Sequence, residues 1–135
     1  MKTLTSSEVQ VGQELPELVV DVTATMIVAG ALASRDYQDV HHDTALARAA
    51  GAKDIFMNIL TTNGLVGRFV TDWAGPEALI KKVSIRLGAP NYPGDQMRLT
   101  GAVTRRDAAS VEVEVRGTNS AGDHVTGTVV LELPG

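Results

Sequence analysis

The sequence predicts an α+β fold, and three observations carry that prediction. Helix-compatible patterns occupy most of residues 23–76, whereas from residue 78 onward apolar residues alternate with a period of two. The strand-like stretches of the second half are separated by "APNYPGD", "RRDAAS" and "NSAGD", short turn sequences that indicate antiparallel neighbours and not β–α–β units. One long, glycine-bearing helical stretch stands between the two halves.

Taken in order, "ELVVDV" (17–22) reads as a short strand after a polar lead. "TATMIVAGALASRDY" (23–37) reads as a helix with Thr23 as its N-cap; it is apolar nearly all round, which predicts burial. "HHDTALARAAG" predicts a second, short helix capped by Asp43 and stopped by Gly51. In "NILTTNGLVGRFVTDWAGP" (58–76), Ile59, Leu60, Asn63, Val66, Val70 and Trp73 recur at helical spacing and Pro76 ends the element. Glycine in a helix interior costs about 1 kcal/mol against alanine. Gly64 and Gly67 therefore call for a reason, and close approach of the helix backbone to a sheet supplies one. "ALIKKVSIRLG" places Leu79, Val83, Ile85 and Leu87 on one face. "DQMRLTGAVTRRD", "SVEVEVRGTNS" and "DHVTGTVVLEL" continue as a meander, most cleanly in Val111, Val113 and Val115 against Glu112, Glu114 and Arg116. A long central helix wrapped by a curved antiparallel β-sheet describes a hot-dog fold.

At 135 residues the chain fits a single domain, 1–135, with one real core. Aromatics are 4% of residues, so that core must be built from Val, Leu, Ile and Ala. A net charge of −4, with no Lys/Arg run longer than two, argues against nucleic acid as a partner. No apolar run reaches the ~20 residues of a membrane span, and the amino-terminal stretch lacks a signal-peptide core, so no membrane role is expected. The absence of cysteine excludes disulfides, thiolate metal sites and a Cys nucleophile, and fits a cytoplasmic protein.

The chemistry concentrates in "SRDYQDVHHD" (34–43), where three aspartates and two of the three histidines share ten positions. Asp36 and His41 are five apart, about 140° around a continuous helix. Across a loop, both can turn toward one point and share a water, one taking its proton and the other fixing its orientation. The plainer reading is a solvated loop, with Asp43 as a cap, Asp39 shaping a turn and His42 facing solvent. His124, in a "GDH" turn, reads as a surface residue. Adjacent His41 and His42 cannot easily bind one ion and no His-x3-His is present, so no metal is expected.

"SRDYQDVHHD" resembles the hydratase motif of MaoC-like, (R)-specific enoyl-CoA hydratases, and "RLGAPNYPGD" resembles the same family's strand–turn signature. The resemblance spans residues 15–133. With "KDIFMNILTTNGLVGRFVTDWAGP" and "GDHVT", it extends to the small MaoC-like subunits of heteromeric hydratases in actinobacterial steroid side-chain degradation. It implies that Asp36 and His41 are the catalytic pair and that an enoyl-CoA thioester, a steroid side-chain one in the closer match, is the substrate. No cofactor is implied. Members carry His-Gly at the entrance to the central helix and use the glycine N–H as an oxyanion donor. Here those positions are Met57 and Asn58, and Asn58 can still donate its backbone N–H; with Asn63 these form the expected substrate-binding set. The resemblance further implies pairing with a second hot-dog subunit, a different MaoC-like chain in a heterotetramer or otherwise a homodimer, through sheet edges and central helices. Two other functions compete: a non-catalytic partner subunit, and an acyl-CoA thioesterase, which would place its carboxylate on the central helix, where this chain offers Asn63 and Asp72.

Overall fold

A computed structural model describes all residues, 1–135. The chain has a short strand β1 (Leu18–Asp21), helices α1 (Ala24–Ala33) and α2 (Thr44–Ala49), a long helix α3 (Ile59–Ala74), and strands β2 (Leu79–Leu87), β3 (Gln96–Asp107), β4 (Ser110–Asn119) and β5 (Gly122–Glu132). All pairings are antiparallel, in one sheet of order β1-β3-β4-β5-β2. With α3 packed against this sheet, the arrangement is the hot-dog fold.

Local chemistry sets the helix ends. The Thr23 hydroxyl accepts from the Met26 N–H at 3.0 Å, and the Asp43 carboxylate accepts from Leu46 N–H at 3.0 Å. Gly51 and Gly75, at φ 96° and 100°, terminate α2 and α3 in a conformation other residues avoid. α1 stops four residues short of the predicted Tyr37. The Arg35 N–H donates to Leu32 O and the Asp36 N–H to Ala31 O at 2.9 Å, a Schellman closure with Arg35 at φ 55°. α1 is also less buried than its composition implies: Ile27 and Ala31 are fully covered, but Leu32 is half exposed.

The core lies between α3 and the sheet. Val66, Phe69 and Val70 meet Met97, Leu99, Val103, Val113, Val129 and Leu131 within one 22-residue apolar cluster. The buried face of α3 is Thr62, Val66, Phe69, Val70 and Ala74. Relative to the predicted stripe it is rotated, leaving Ile59, Leu60 and Asn63 on the outer side. The glycines in close contact also lie elsewhere than Gly64 and Gly67. A Cβ on Gly64 would meet nothing, and one on Gly67 only Ile80 Cδ1 at 3.6 Å. The close approach is made by the sheet's Gly101, whose Cβ would stand 3.0 Å from Phe69 Cε1 and 2.8 Å from Glu114 O. A second lies between helices, where a Cβ on Gly30 would overlap Thr61.

Two features of the sheet depart from the sequence reading. β2 does not neighbour β3; it pairs with β5 at the far edge. Residues 88–95 are therefore a crossover along the end of the sheet and not a hairpin turn. The Asn119 amide donates to Ala89 O, Pro90 O and Asn91 Oδ1, and Ser120 Oγ donates to Asp95 at 2.7 Å, which pins this crossover. In β2 a bulge between Ile80 and Lys82 shifts the register, so Ile80 pairs with buried Leu131 and Val83 with buried Val129. Leu79 thereby leaves the inward face where plain alternation had put it, and is 56% exposed.

Candidate active site

The Schellman closure turns the chain sharply at Arg35, so Asp36 emerges from the end of α1 beside the start of α3. A single 3-10 turn over Asp39–His41 then returns the chain. Its geometry brings His41 Nε2 to 3.4 Å from Asp36 Oδ2. His41 Nδ1 lies 2.7 Å from the Phe56 carbonyl, which can only accept, so Nδ1 carries hydrogen and in the neutral ring Nε2 is the bare nitrogen. The imidazole edge also packs on the Phe56 ring, 5.0 Å between centroids, and Phe56 in turn meets Tyr92 of the crossover. His41 is held and nearly buried, at 8% side-chain exposure, while Asp36 at 23% reaches solvent.

Asn58 is the N-cap of α3 and joins the two segments. Its Oδ1 accepts from Thr61 N–H at 3.0 Å, and its Nδ2 donates to Ser34 Oγ at 2.9 Å and to Asp36 Oδ2 at 3.1 Å. That amide is the largest influence holding the Asp36 carboxyl below its ordinary value. Desolvation opposes it, and the Gln38 N–H and the His41 charge add smaller lowering effects. Asp36 is thus an ionised acceptor at neutral pH. The buried Asn58 also has a backbone N–H that meets no acceptor within the chain, at a helix N-terminus where the dipole favours negative charge.

The structure brings together Asp36, His41 and Asn58 from the predicted set, and it does not bring the other two. Met57 is buried in the core; its N–H donates to Asn91 O at 3.1 Å and its sulfur faces the Asn91 amide. Asn63 is exposed on the outer face of α3, one turn beyond the Asn58 cap. Asp72, the carboxylate a thioesterase would need, lies near the far end of α3 and pairs with Arg68. In the sequence, Ser34 has no role beyond opening the motif and Thr61 has none, yet both bond to Asn58 here. His124 is the clearest correction. It is buried, not a surface turn residue: Nδ1 donates to Ala89 O at 2.8 Å and Nε2 accepts from the Thr62 hydroxyl at 2.8 Å. Burial pushes its pKa down, against the raising effect of the Ala89 carbonyl. His42 stays exposed at 3.3 Å from Tyr37 O, and half-buried Trp73 packs against the core. No three His, Asp or Glu side chains converge to hold a metal, and no helix is long and apolar enough to cross a membrane.

Known proteins share this arrangement of elements. The 3-oxo-4,17-pregnadiene-20-carboxyl-CoA hydratase beta subunit of Mycobacterium tuberculosis (strain ATCC 25618 / H37Rv) is 54% identical over 123 residues, 91% of this chain and 95% of that protein. The crystal structure of the ChsH1-ChsH2 complex from Mycobacterium tuberculosis contains a chain that superposes with a TM-score of 0.91 at 54% identity, covering 92% of this chain and 98% of that one. R-hydratase PhaJ1 from Pseudomonas aeruginosa shares the fold at 22% identity, with a TM-score of 0.89 over 98% of this chain and 86% of that one. The family described as "MaoC like domain" matches residues 7–131. This chain is a member of the MaoC-like domain family.

Proposed function

We propose that the chain is the catalytic subunit of an enoyl-CoA hydratase, adding water across the 2,3 double bond of an acyl-CoA thioester. The observation that carries this reading is the pairing of two acceptors. With Nδ1–H committed to Phe56, neutral His41 presents a lone pair to the Asp36 carboxylate at 3.4 Å. Neither can donate to the other, whereas one water can donate a hydrogen to each. Such a water is polarised and aimed. Its proton passes to Asp36 as its oxygen bonds to the β-carbon, and the α-carbon takes a proton back from the same pair, leaving both groups as they began. Negative charge on the thioester oxygen is met by the Asn58 N–H; one such donor is worth ~3 kcal/mol of barrier. None of these steps calls on a cofactor.

The Mycobacterium tuberculosis relative supports a steroid enoyl-CoA of the 3-oxo-4,17-pregnadiene-20-carboxyl type as substrate. It also supports a heteromeric assembly with a second hot-dog chain, as in the ChsH1-ChsH2 complex. Two surfaces suit that partner: the outer face of α3, with Ile59 and Leu60 half exposed beside Gly64, and the free edge of β2. The test mixes the purified chain, alone and with candidate hot-dog partners, with crotonyl-CoA and with the steroid enoyl-CoA. Loss of enoyl absorbance without release of free CoA thiol supports a hydratase. Thiol release indicates a thioesterase, and full activity that survives loss of Asp36 identifies a non-catalytic partner.

A further inference from the structure

We propose that the Asn58 carboxamide is a positioning residue for the reaction, fixing the orientation in which Asp36 Oδ2 faces His41 and tying that orientation to the first turn of α3. The inference rests on Asp36 being the base. Every hydrogen-bonding position of this amide is in use. Nδ2 donates to Ser34 Oγ and Asp36 Oδ2, and Oδ1 accepts from the N–H and hydroxyl of Thr61. The opposite amide orientation would set its oxygen against a carboxylate and strip the helix of its cap, so only one orientation is compatible with the neighbours. Its anchor is itself anchored, because the Ser34 hydroxyl donates to Gly30 O at 2.7 Å.

Asp36 has few other restraints. The Schellman closure sets its backbone, and Gln38 N–H reaches Oδ1 only at 3.4 Å. His41 is the titratable group facing the carboxylate, and without a proton on Nε2 it offers no hydrogen to hold Oδ2. Asn58 is therefore the side-chain donor that decides which oxygen faces the imidazole. It also lowers the proton affinity of the base, and that effect is readable in solution. A residue needed only to cap a helix would not move the titration of Asp36.

Asn58→Ser and Asn58→Thr both keep a capping oxygen for Thr61 N–H while removing the amide donor and adding no charge beside Asp36. Carboxyl carbon chemical shifts against pH, in the isolated chain, give the Asp36 midpoint without reference to turnover. The expected result is an upward shift of the midpoint toward the ordinary carboxyl value in both variants. In the chain assembled with its active partner, kcat for crotonyl-CoA should fall about tenfold with KM little changed, and the acid limb should move with the midpoint. An unchanged Asp36 midpoint in both folded variants overturns the proposal. Asp36→Asn separates the two readings. If it abolishes turnover while the Asn58 variants behave as wild type, only the positioning role fails; if it retains turnover, the base assignment fails.

Discussion

Gly30→Ala probes the contact on which the site's geometry depends. Gly30 lies in α1 opposite Thr61, the residue whose N–H and hydroxyl both meet the Asn58 cap. An added Cβ would overlap Thr61 Oγ1 and stand 3.0 and 3.1 Å from its Cγ2 and Cβ. Rotating Thr61 exchanges one branch for the other and breaks its hydroxyl's bond to Asn58, so α1 and α3 must separate by roughly 1 Å to restore ordinary contact. Overpacking of this kind costs about 1–3 kcal/mol, while alanine gains about 1 kcal/mol of helix propensity. The net loss in urea unfolding should be about 0–2 kcal/mol, a small effect. Catalysis should suffer more, because the same separation draws Ser34 and Asp36 away from Asn58, and a misplacement of 1 Å is worth about 10²-fold. Hydration by the assembled enzyme reads that term, and Thr61→Ala added to Gly30→Ala should recover stability. A variant that gains the full ~1 kcal/mol and keeps wild-type turnover would refute the reasoning.

The other expectations are independent of that contact. Asp36→Asn and His41→Ala should each lower hydration by about 10²-fold or more with unfolding curves unchanged in shape. Thr62→Val leaves buried His124 Nε2 without its donor and should cost about 1–3 kcal/mol in denaturant unfolding. Because burial holds His124 below the ordinary imidazole value of 6.5, the unfolded chain takes up this proton first on acidification. His124 therefore makes unfolding free energy fall as pH drops below 6.5, levelling once the folded chain also binds the proton; His124→Gln should remove that part of the slope. Gly64→Ala, with nothing near its Cβ, should stabilise the isolated chain by about 1 kcal/mol and weaken assembly with the partner, measured by sedimentation.

What the sequence made legible was local. Thr23 and Asp43 announce helix starts because a cap acts over three residues, and Val111, Val113 and Val115 announce a face because alternation needs no partner. Asp36 and His41 could be paired for the same reason, since a short loop bounds how far apart they can be. The remaining features depend on what packs opposite. Gly64 and Gly67 looked like the contact glycines until Gly101 and Gly30 proved to face bulk. The β2 bulge pairs Ile80 across from Leu131 and leaves Leu79 exposed, a register shift that alternation along the strand does not reveal. His124 follows a surface turn, yet its ring is buried by a helix sixty residues earlier. The crossover over residues 88–95 was hidden because strand order is set by pairing, and spacing along the chain carries no trace of it.

The free edge of β2 has a practical corollary for anyone handling this chain by itself. Along nine-residue β2, the backbone donors and acceptors of alternate residues turn away from β5 and line the rim of the sheet, with Leu79, Ile80 and Leu87 more than a third exposed beside them. Such a rim is a template for adding another strand, and the interrupting Lys81 and Lys82 moderate that tendency without removing it. Expressed without a companion, the polypeptide should self-associate through this border more readily than when the border is covered. Soluble yield under co-expression thus becomes a simple screen for the proper companion, ahead of any enzymology.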